Sequence, residues 1–350
     1  MTTSAAASFA SSPDSTERVS HLEMETVGCL SCGNDDFETL IFASDPITGI
    51  GGRFRVVRCR QCQLAFTNPR PTQGSIGLFY PDSYAPYKRS DKSGRLRTRW
   101  KTSLTKSILS TQYGYPRQSG SRFTNCLSLL ARACYRRRRQ RQSWIPFRQP
   151  GRLLDFGCGA GGFLQEMRAY GWSVEGLDMS ETVARQVHDQ TGIPVHVGTL
   201  PHPSLTPESY DAVTMWNALE HVHWPSEVVR AAADALRPGG ILVIGVPNFA
   251  SWSFEKFQQN WYALELPRHL VHFTPATLTS LLSQAGFRIQ SVDQIGRVGW
   301  MRRSARSFAA GQGKPKWLGA CRWKTVGKFI MAQTERMNRA DFIRVIAEKQ

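Results

Sequence analysis

The sequence predicts an α/β protein, a mostly parallel sheet with helices on both faces, behind a small N-terminal metal-binding module. Three observations carry this reading. From Gly151 onward, apolar strand-like runs alternate with helical stretches, the pattern of strands joined by crossover helices. A glycine-rich turn, LLDFGCGAGG (Leu153 to Gly162), follows the first of these strands and opens a helix. Ahead of it stand two Cys-x2-Cys pairs, which in a reduced compartment mean metal or redox chemistry.

In chain order, residues 1–25 are Ala/Ser/Thr-rich and read as a disordered tail. Residues 26–70 hold the cysteine pairs and strand-like runs such as FRVVRC. Residues 71–148 form a basic, partly helical segment on the substrate side, ending in YRRRRQRQ (Tyr135 to Gln142) and a Pro-containing joint. Residues 149–350 carry the alternation: RLLDFGCG, a helix from Gly161, SVEGLD, a helix through Gln190, PVHVG, YDAVTMWNAL, a helix through Leu236 and GGILVIGVPN. A basic insertion spans about 297–339.

Composition narrows the class. At 41% apolar residues the chain can build a core, so general disorder is excluded. No uncharged apolar run is long enough to span a bilayer. The N-terminus lacks a basic region followed by an apolar stretch, which argues against a signal peptide and for a cytoplasmic protein. The net charge of +17 is concentrated. Lys88 to Arg148 holds seventeen Lys/Arg against Asp91, and Arg297 to Arg339 holds eleven against Glu335. The plain reading is a solvated basic face. The functional reading is contact with phosphates: nucleic acid, anionic lipid, or a nucleotide- or lipid-linked sugar.

Gly157, Gly159 and Gly161 let the backbone turn sharply and approach a ligand. Asp178 ends the second strand 23 residues after Asp155, where an acid can accept both ribose hydroxyls of a nucleoside. A dinucleotide-binding fold would set a pyrophosphate on the helix N-terminus. Here the string is DFGCGAGGF, with an acid two residues before the first glycine. It resembles the first motif of class I S-adenosylmethionine (SAM) dependent methyltransferases, in which that acid supports the loop around the methionine end of SAM.

Further segments are similar to the same family in the same order. They are VGTL (Val197 to Leu200), YDAVTMWNALEHV (Tyr210 to Val222), LRPGGILVIGVPN (Leu236 to Asn248), and PRHLVHFTPATLTSLLSQAGF (Pro267 to Phe287). The last resembles the ubiquinone-biosynthesis O-methyltransferases. The resemblance implies a Rossmann-like seven-stranded sheet, with FRIQSVDQ and FIRVIAEK as the strands of its antiparallel end. It places Asp155, Gly157, Gly159, Gly161, Asp178, Met179, Thr199, Leu200 and Asn217 around SAM.

Cys29-x2-Cys32-Gly33 and Cys59-x2-Cys62 can each form a knuckle aiming two thiolates at one ion. Four thiolates favour structural Zn2+ and leave no open coordination position. Bacterial methyltransferases of sugar, polysaccharide and natural-product pathways resemble this arrangement: a ribbon, then a string like CRQCQLAFTNPRPT (Cys59 to Thr72), then a tyrosine-bearing segment like FYPDSYAPY (Phe79 to Tyr87). The sugar C-methyltransferases of that kind carry a further C-terminal α/β domain, which is not found in these residues, so the expectation leans toward O-methylation of a smaller acceptor.

Methyl transfer from a sulfonium is an in-line displacement, and a hydroxyl acceptor gains from a base. His221 is the first candidate, beside Glu220 in the loop after the fourth strand. The ubiquinone-type enzymes resemble a divalent-metal site here, in an ExxEH string; Asn217 replaces its first acid, which argues against metal dependence. His269 and His272 form the second candidate pair, with Glu265 near enough to orient one imidazole. The alternative for each is a hydrogen-bonded structural histidine.

Two rival functions compete with this reading. An RNA methyltransferase would use the basic segments, but no DPPY- or NPPY-like string follows the fourth strand and few aromatics interleave the arginines. A non-catalytic scaffold is opposed by the intact glycine loop with Asp178. Trp317, Leu318, Trp323, Val326, Phe329 and Ile330 lie among Lys316, Arg322, Lys324 and Lys328. The favoured reading packs these apolar residues on the core as a lid over the acceptor pocket. The other rests them on the inner face of a membrane, near a lipid-linked glycan.

Overall fold

A computed structural model describes residues 22–81, 108–110, 113–115, 144–148, 151–311 and 314–350. The first 21 residues of the tail, most of the 71–148 segment with its arginine run, Cys126, Cys134, and residues 82–87 of the tyrosine segment lie outside the described residues.

Five short strands build the N-terminal module: β1 (Met24–Glu25), β2 (Phe37–Ser44), β3 (Arg53–Cys59), β4 (Ala65–Thr67) and β5 (Arg70–Pro71). The module therefore extends beyond the 26–70 span that the cysteines suggest, because β1 pairs with β5 outside the metal-ligand spacing. The C-terminal part follows as β6 (Arg152–Phe156), α1 (Gly162–Ala169), β7 (Ser173–Asp178), α2 (Glu181–Thr191), β8 (Val195–Val197), β9 (Tyr210–Trp216), α3 (Pro225–Ala235) and β10 (Leu236–Pro247). Then come α4 (Trp252–Phe257), β11 (Val271–His272), α5 (Pro275–Gln284), β12 (Phe287–Ile295), α6 (Val298–Ala310), α7 (Lys324–Arg336) and β13 (Phe342–Lys349).

The main sheet has seven strands in the order β12-β13-β10-β9-β6-β7-β8. The β6, β7, β8, β9 and β10 pairings are parallel, and β13 runs antiparallel between β10 and β12. This is the Rossmann-like methyltransferase sheet that the resemblance implies. Local chemistry sets the helix starts. Ser180 caps α2 by accepting from the Val183 amide, Thr274 and Thr277 form a reciprocal cap on α5, and Pro225 stands at the first position of α3, where its missing N–H has no helical partner to lose.

The module is welded to the sheet domain. Its antiparallel sheet runs β11-β4-β3-β2, so the fourth strand comes from the C-terminal part. One hydrophobic core joins Val57, Leu64 and Phe66 of the module to Val213, Leu219, Leu270 and Phe273. On the module's other face, Phe54, Val56 and Phe79 pack with Phe257, Leu264, Met301 and Leu318. Phe66 is wholly buried, and such a side chain contributes roughly 2–3 kcal/mol.

The basic insertion is ordered as α6, a 3-10 turn (Lys316–Arg322) and α7. Its apolar residues divide. Leu318 is buried and packs on the module's core, while Trp317, Trp323 and Phe329 are 55%, 57% and 66% exposed. The lid reading is corrected for those three aromatics: the buried stripe of α7 is Gly327, Met331 and Thr334, and its period turns Phe329 outward. No described helix is long and apolar enough to cross a membrane.

Candidate functional site

The carboxyl ends of β6, β7 and β9 meet at the glycine turn, the place where open α/β sheets bind ligands. Gly157 has φ 72°, and a Cβ there would stand 2.7 Å from the Cβ of Ala218; only glycine lets the turn lie against the loop after β9. The Asp178 carboxylate accepts from the Gly159 amide (2.9 Å) and the Ser180 amide (3.0 Å), tying the second strand's acid to the glycine loop. Burial raises its pKa against those two amides. Behind the loop, Asp155 is buried and accepts from Thr214 Oγ1 at 2.6 Å. Burial is the main cause that pushes its carboxyl up to about 7; the Thr214 hydroxyl opposes this and the Asp178 charge adds to it.

The remaining expected cofactor residues follow along the same edge. Met179 is 70% exposed beside Asp178, Thr199 is exposed, and Leu200 is buried. Asn217 is exposed with φ 50°, its amide bonded to the Gly245 carbonyl.

In the loop after β9, the 3-10 turn Leu219–His221 carries Glu220 and His221. Residues 265–270 lie against it, with the Leu270 amide donating to the Glu220 carbonyl (2.8 Å). Glu220, His221 and His269 each bring one ligand atom within 4.8 Å of the others. Glu220 is 1% exposed, and neither carboxylate oxygen has a hydrogen-bond partner among the described residues. Burial raises its pKa well above the usual range.

Hydrogen bonds fix the imidazole tautomers, because a carbonyl can only accept. His269 Nδ1 donates to the Ala263 carbonyl (3.0 Å), leaving Nε2 to face Glu265 (3.6 Å) and Glu220 (4.0 Å). His221 Nδ1 lies 3.1 Å from the Arg268 carbonyl and 2.9 Å from the Tyr80 hydroxyl. The two rings meet edge-to-face at 4.6 Å. Burial pushes the pKa of His221, His269 and His272 down to about 3, so all three are neutral near pH 7.

His272 is placed differently. It sits in β11, and its Nε2 bonds Thr67 Oγ1 (3.3 Å), whose own proton goes to the His269 carbonyl (2.9 Å). It faces the N-terminal module and is not part of the three-residue group.

The four cysteines converge. Cys29 Sγ and Cys62 Sγ are 3.3 Å apart, Cys32 Sγ and Cys59 Sγ 3.6 Å, and all four lie within 4.8 Å of one another. Gly33 (φ 75°) and Gln63 (φ 64°) turn the knuckles. A tetrahedral ion with bonds of about 2.3 Å holds sulfurs roughly 3.8 Å apart, so the cluster is compatible with a zinc ribbon.

Sequence reasoning missed three residues of this neighbourhood: Tyr80, Arg268 and Asp45. Each acts through a contact between the module and the sheet domain. Tyr80 and Arg268 stand inside quoted motifs, which was the only signal available for them.

Comparison with known proteins agrees with the geometry. A family model described as a methyltransferase domain matches residues 129–292. A ubiquinone biosynthesis O-methyltransferase of Xanthomonas axonopodis pv. citri is 31% identical over 168 residues, covering 45% of this chain and 70% of that protein. The Aeromonas salmonicida protein of the same name is 37% identical over 118 residues, covering 31% and 50%. A solved SAM-dependent methyltransferase of Mesorhizobium loti overlaps 58% of this chain and 94% of that one, with 22% identity and a TM-score of 0.40. With a SAM-type glycine loop, a seven-stranded sheet of this order and a relative matched over more than two thirds of its length, the chain belongs to the class I SAM-dependent methyltransferases and is an enzyme of that family.

Proposed function

We propose that the enzyme transfers the methyl group of SAM to a hydroxyl of a small-molecule or sugar-type acceptor, with His221 as proton acceptor. The observation that carries this reading is the placement of the partly buried His221 beside Glu220 and His269, with its Nδ1 against the Arg268 carbonyl. The glycine turn and Asp178 hold the nucleoside, and Met179, Thr199, Leu200 and Asn217 border it. The acceptor oxygen then lies on the side of the 217–221 turn, in line with the sulfonium. Alignment supplies most of the acceleration, and removal of the hydroxyl proton as the C–O bond forms adds roughly 10²–10⁴-fold. The Glu265 carboxylate favours the imidazolium that results. The printed names of the matched Xanthomonas and Aeromonas relatives, O-methyltransferases of ubiquinone biosynthesis, support oxygen as the atom methylated. In the ribbon, Cys29, Cys32, Cys59 and Cys62 hold one Zn2+ as a structural ion.

The test is turnover of SAM against a panel of phenols and nucleotide sugars. His221→Ala should lower turnover of the active acceptor roughly 10²–10⁴-fold while binding of S-adenosylhomocysteine persists. Full turnover in His221→Ala and in His269→Ala would leave positioning alone as the mechanism.

The buried oxygens of Glu220, which make no hydrogen bond among the described residues, favour a second reading. Glu220, His221 and His269 fit a divalent cation in number and donor chemistry, although Asn217 replaces the first acid of the ubiquinone-type string. A cation there would act as a Lewis acid toward the acceptor oxygen. Activity lost on dialysis against EDTA and restored by Mg2+, with zinc content unchanged, would select this reading.

For the partner surface, exposed Trp317, Trp323 and Phe329 among exposed Lys316, Arg322, Lys324 and Lys328 suit an anionic bilayer surface. The chain should float with phosphatidylglycerol-containing vesicles at low salt and not with pure phosphatidylcholine. No flotation at low salt ends the idea.

A further inference from the structure

Two hydrogen-bond routes run from the N-terminal module to one nitrogen of His221. The first begins at Asp45, which follows β2. Its carboxylate takes both Nη atoms of Arg268 (3.0 and 2.7 Å), and both side chains are fully buried. The same carboxylate accepts the amides of Ile47 and Thr48 and the Thr48 hydroxyl, so its orientation is fixed from both sides. Arg268 also donates to the Phe79 carbonyl (3.1 Å). Pinned at its side chain, Arg268 sets its own backbone carbonyl 3.1 Å from His221 Nδ1. The second route is shorter. Tyr80 follows the 3-10 turn Ile76–Phe79, which is anchored by the wholly buried Phe79, and its hydroxyl lies 2.9 Å from the same Nδ1.

An imidazole nitrogen facing a carbonyl must carry a hydrogen, because two lone pairs would otherwise oppose each other. With Nδ1–H directed at the Arg268 carbonyl, the Tyr80 oxygen serves as a second acceptor. The neutral ring is then locked with its lone pair on Nε2, the form a proton acceptor requires. A purely structural packing of the ribbon would need neither a tyrosine hydroxyl at this position nor an arginine whose carbonyl is aimed at the ring.

We propose that the ribbon module is a built-in part of the catalytic apparatus: Tyr80 is a positioning residue that, with the carbonyl of Asp45-anchored Arg268, fixes His221 as its Nδ1–H tautomer and so presents Nε2 to the acceptor. This rests on the reading of His221 as the proton acceptor, and it extends that reading to Tyr80 and Asp45 of the module, each more than a hundred positions away in sequence.

The tautomer can be read without an acceptor. Full-length, zinc-replete protein labelled with 15N-histidine is examined by long-range 1H–15N correlation near pH 7.5, with and without S-adenosylhomocysteine, and His221 is assigned by loss of its signals in His221→Gln. The wild type should show His221 protonated on Nδ1 and bare on Nε2. Tyr80→Phe removes one oxygen and leaves the Asp45–Arg268 pair intact. It should shift the tautomer ratio toward Nε2–H by about fivefold, the value of one hydrogen bond, with affinity for S-adenosylhomocysteine unchanged. Asp45→Asn, in folded protein, should move the same signals in the same direction. A His221 spectrum in Tyr80→Phe indistinguishable from wild type overturns the proposal, as does a wild type already mixed between tautomers. The function reading fails separately: His221→Ala that still turns over its acceptor removes the proton-acceptor role whatever the tautomer shows.

Discussion

Asp155→Asn tests the buried support of the glycine turn. Asp155 is 2% exposed, and burial, partly offset by the Thr214 hydroxyl and reinforced by Asp178, moves its pKa from 3.8 to about 7. A raised folded-state pKa means that the folded chain holds this proton more tightly than the unfolded chain does. The stability it contributes is fully present below pH 3.8 and is lost as pH climbs through about 7. The interval of roughly three units corresponds to about 4 kcal/mol once both states are ionised. About 3 kcal/mol of that is lost between about pH 5 and pH 8. Asparagine keeps an oxygen for Thr214 and cannot ionise. The variant should therefore lose about 3 kcal/mol less than the wild type over that range, a difference of about 4 °C in unfolding midpoint for a chain of this length. Thermal unfolding of both proteins across the pH range measures it. Parallel stability curves would refute the reasoning, because they would mean that Asp155 holds its proton no more tightly in the folded chain. Bound SAM, a cation, should narrow the gap by favouring the ionised carboxylate.

Other expectations follow from single contacts. Gly157→Ala combines φ 72° with a 2.7 Å approach to Ala218; it should cost about 1–3 kcal/mol of stability and weaken S-adenosylhomocysteine binding at least tenfold by calorimetry, whereas equal affinity would show that the turn does not contact the cofactor. Glu220→Gln removes a buried carboxyl that makes no hydrogen bond among the described residues and should raise the urea midpoint while turnover falls; a loss of stability would mean that the ionised acid is held by its surroundings. Cys59→Ser should release about one zinc per chain in a chromogenic chelator assay and lower the midpoint of the whole protein in one transition, since the ribbon shares its core with the sheet. A separate low-temperature transition for the ribbon would contradict that shared core.

The glycine turn, Asp178 and the cysteine knuckles were legible because their chemistry is local. A turn, a strand end and a two-residue spacing leave marks within a few positions. The order of the sheet was legible through the resemblance and the alternation of elements. The contacts that surround His221 are of another kind. Arg268 meets Asp45 across 223 positions, Thr67 meets His269 across 202, and Tyr80 meets His221 across 141. No periodicity encodes such pairs. Strand β11 has two residues, too few for alternation to appear, yet it joins the two halves of the molecule.

The need to join them follows from size. A module of some fifty residues cannot bury enough apolar surface to be stable alone, and a metal ion compensates only in part. In this chain the deficit is met by burial against the sheet domain: Val57, Leu64 and Phe66 on one face, Phe54, Val56 and Phe79 on the other. Once both faces are buried, the module's polar edges must find partners in the domain that covers them. Arg70 illustrates the cost and its solution. Its side chain is fully buried and is held by Glu25 (2.7 Å) and the His223 carbonyl (2.7 Å). Asp45 and Arg268 do the same, and the Arg268 carbonyl lies 3.1 Å from His221 Nδ1. The polar contacts that let the ribbon be buried therefore converge on the loop after β9, which carries Glu220 and His221. A ribbon attached only by a flexible linker could not place Tyr80 within hydrogen-bond distance of that loop.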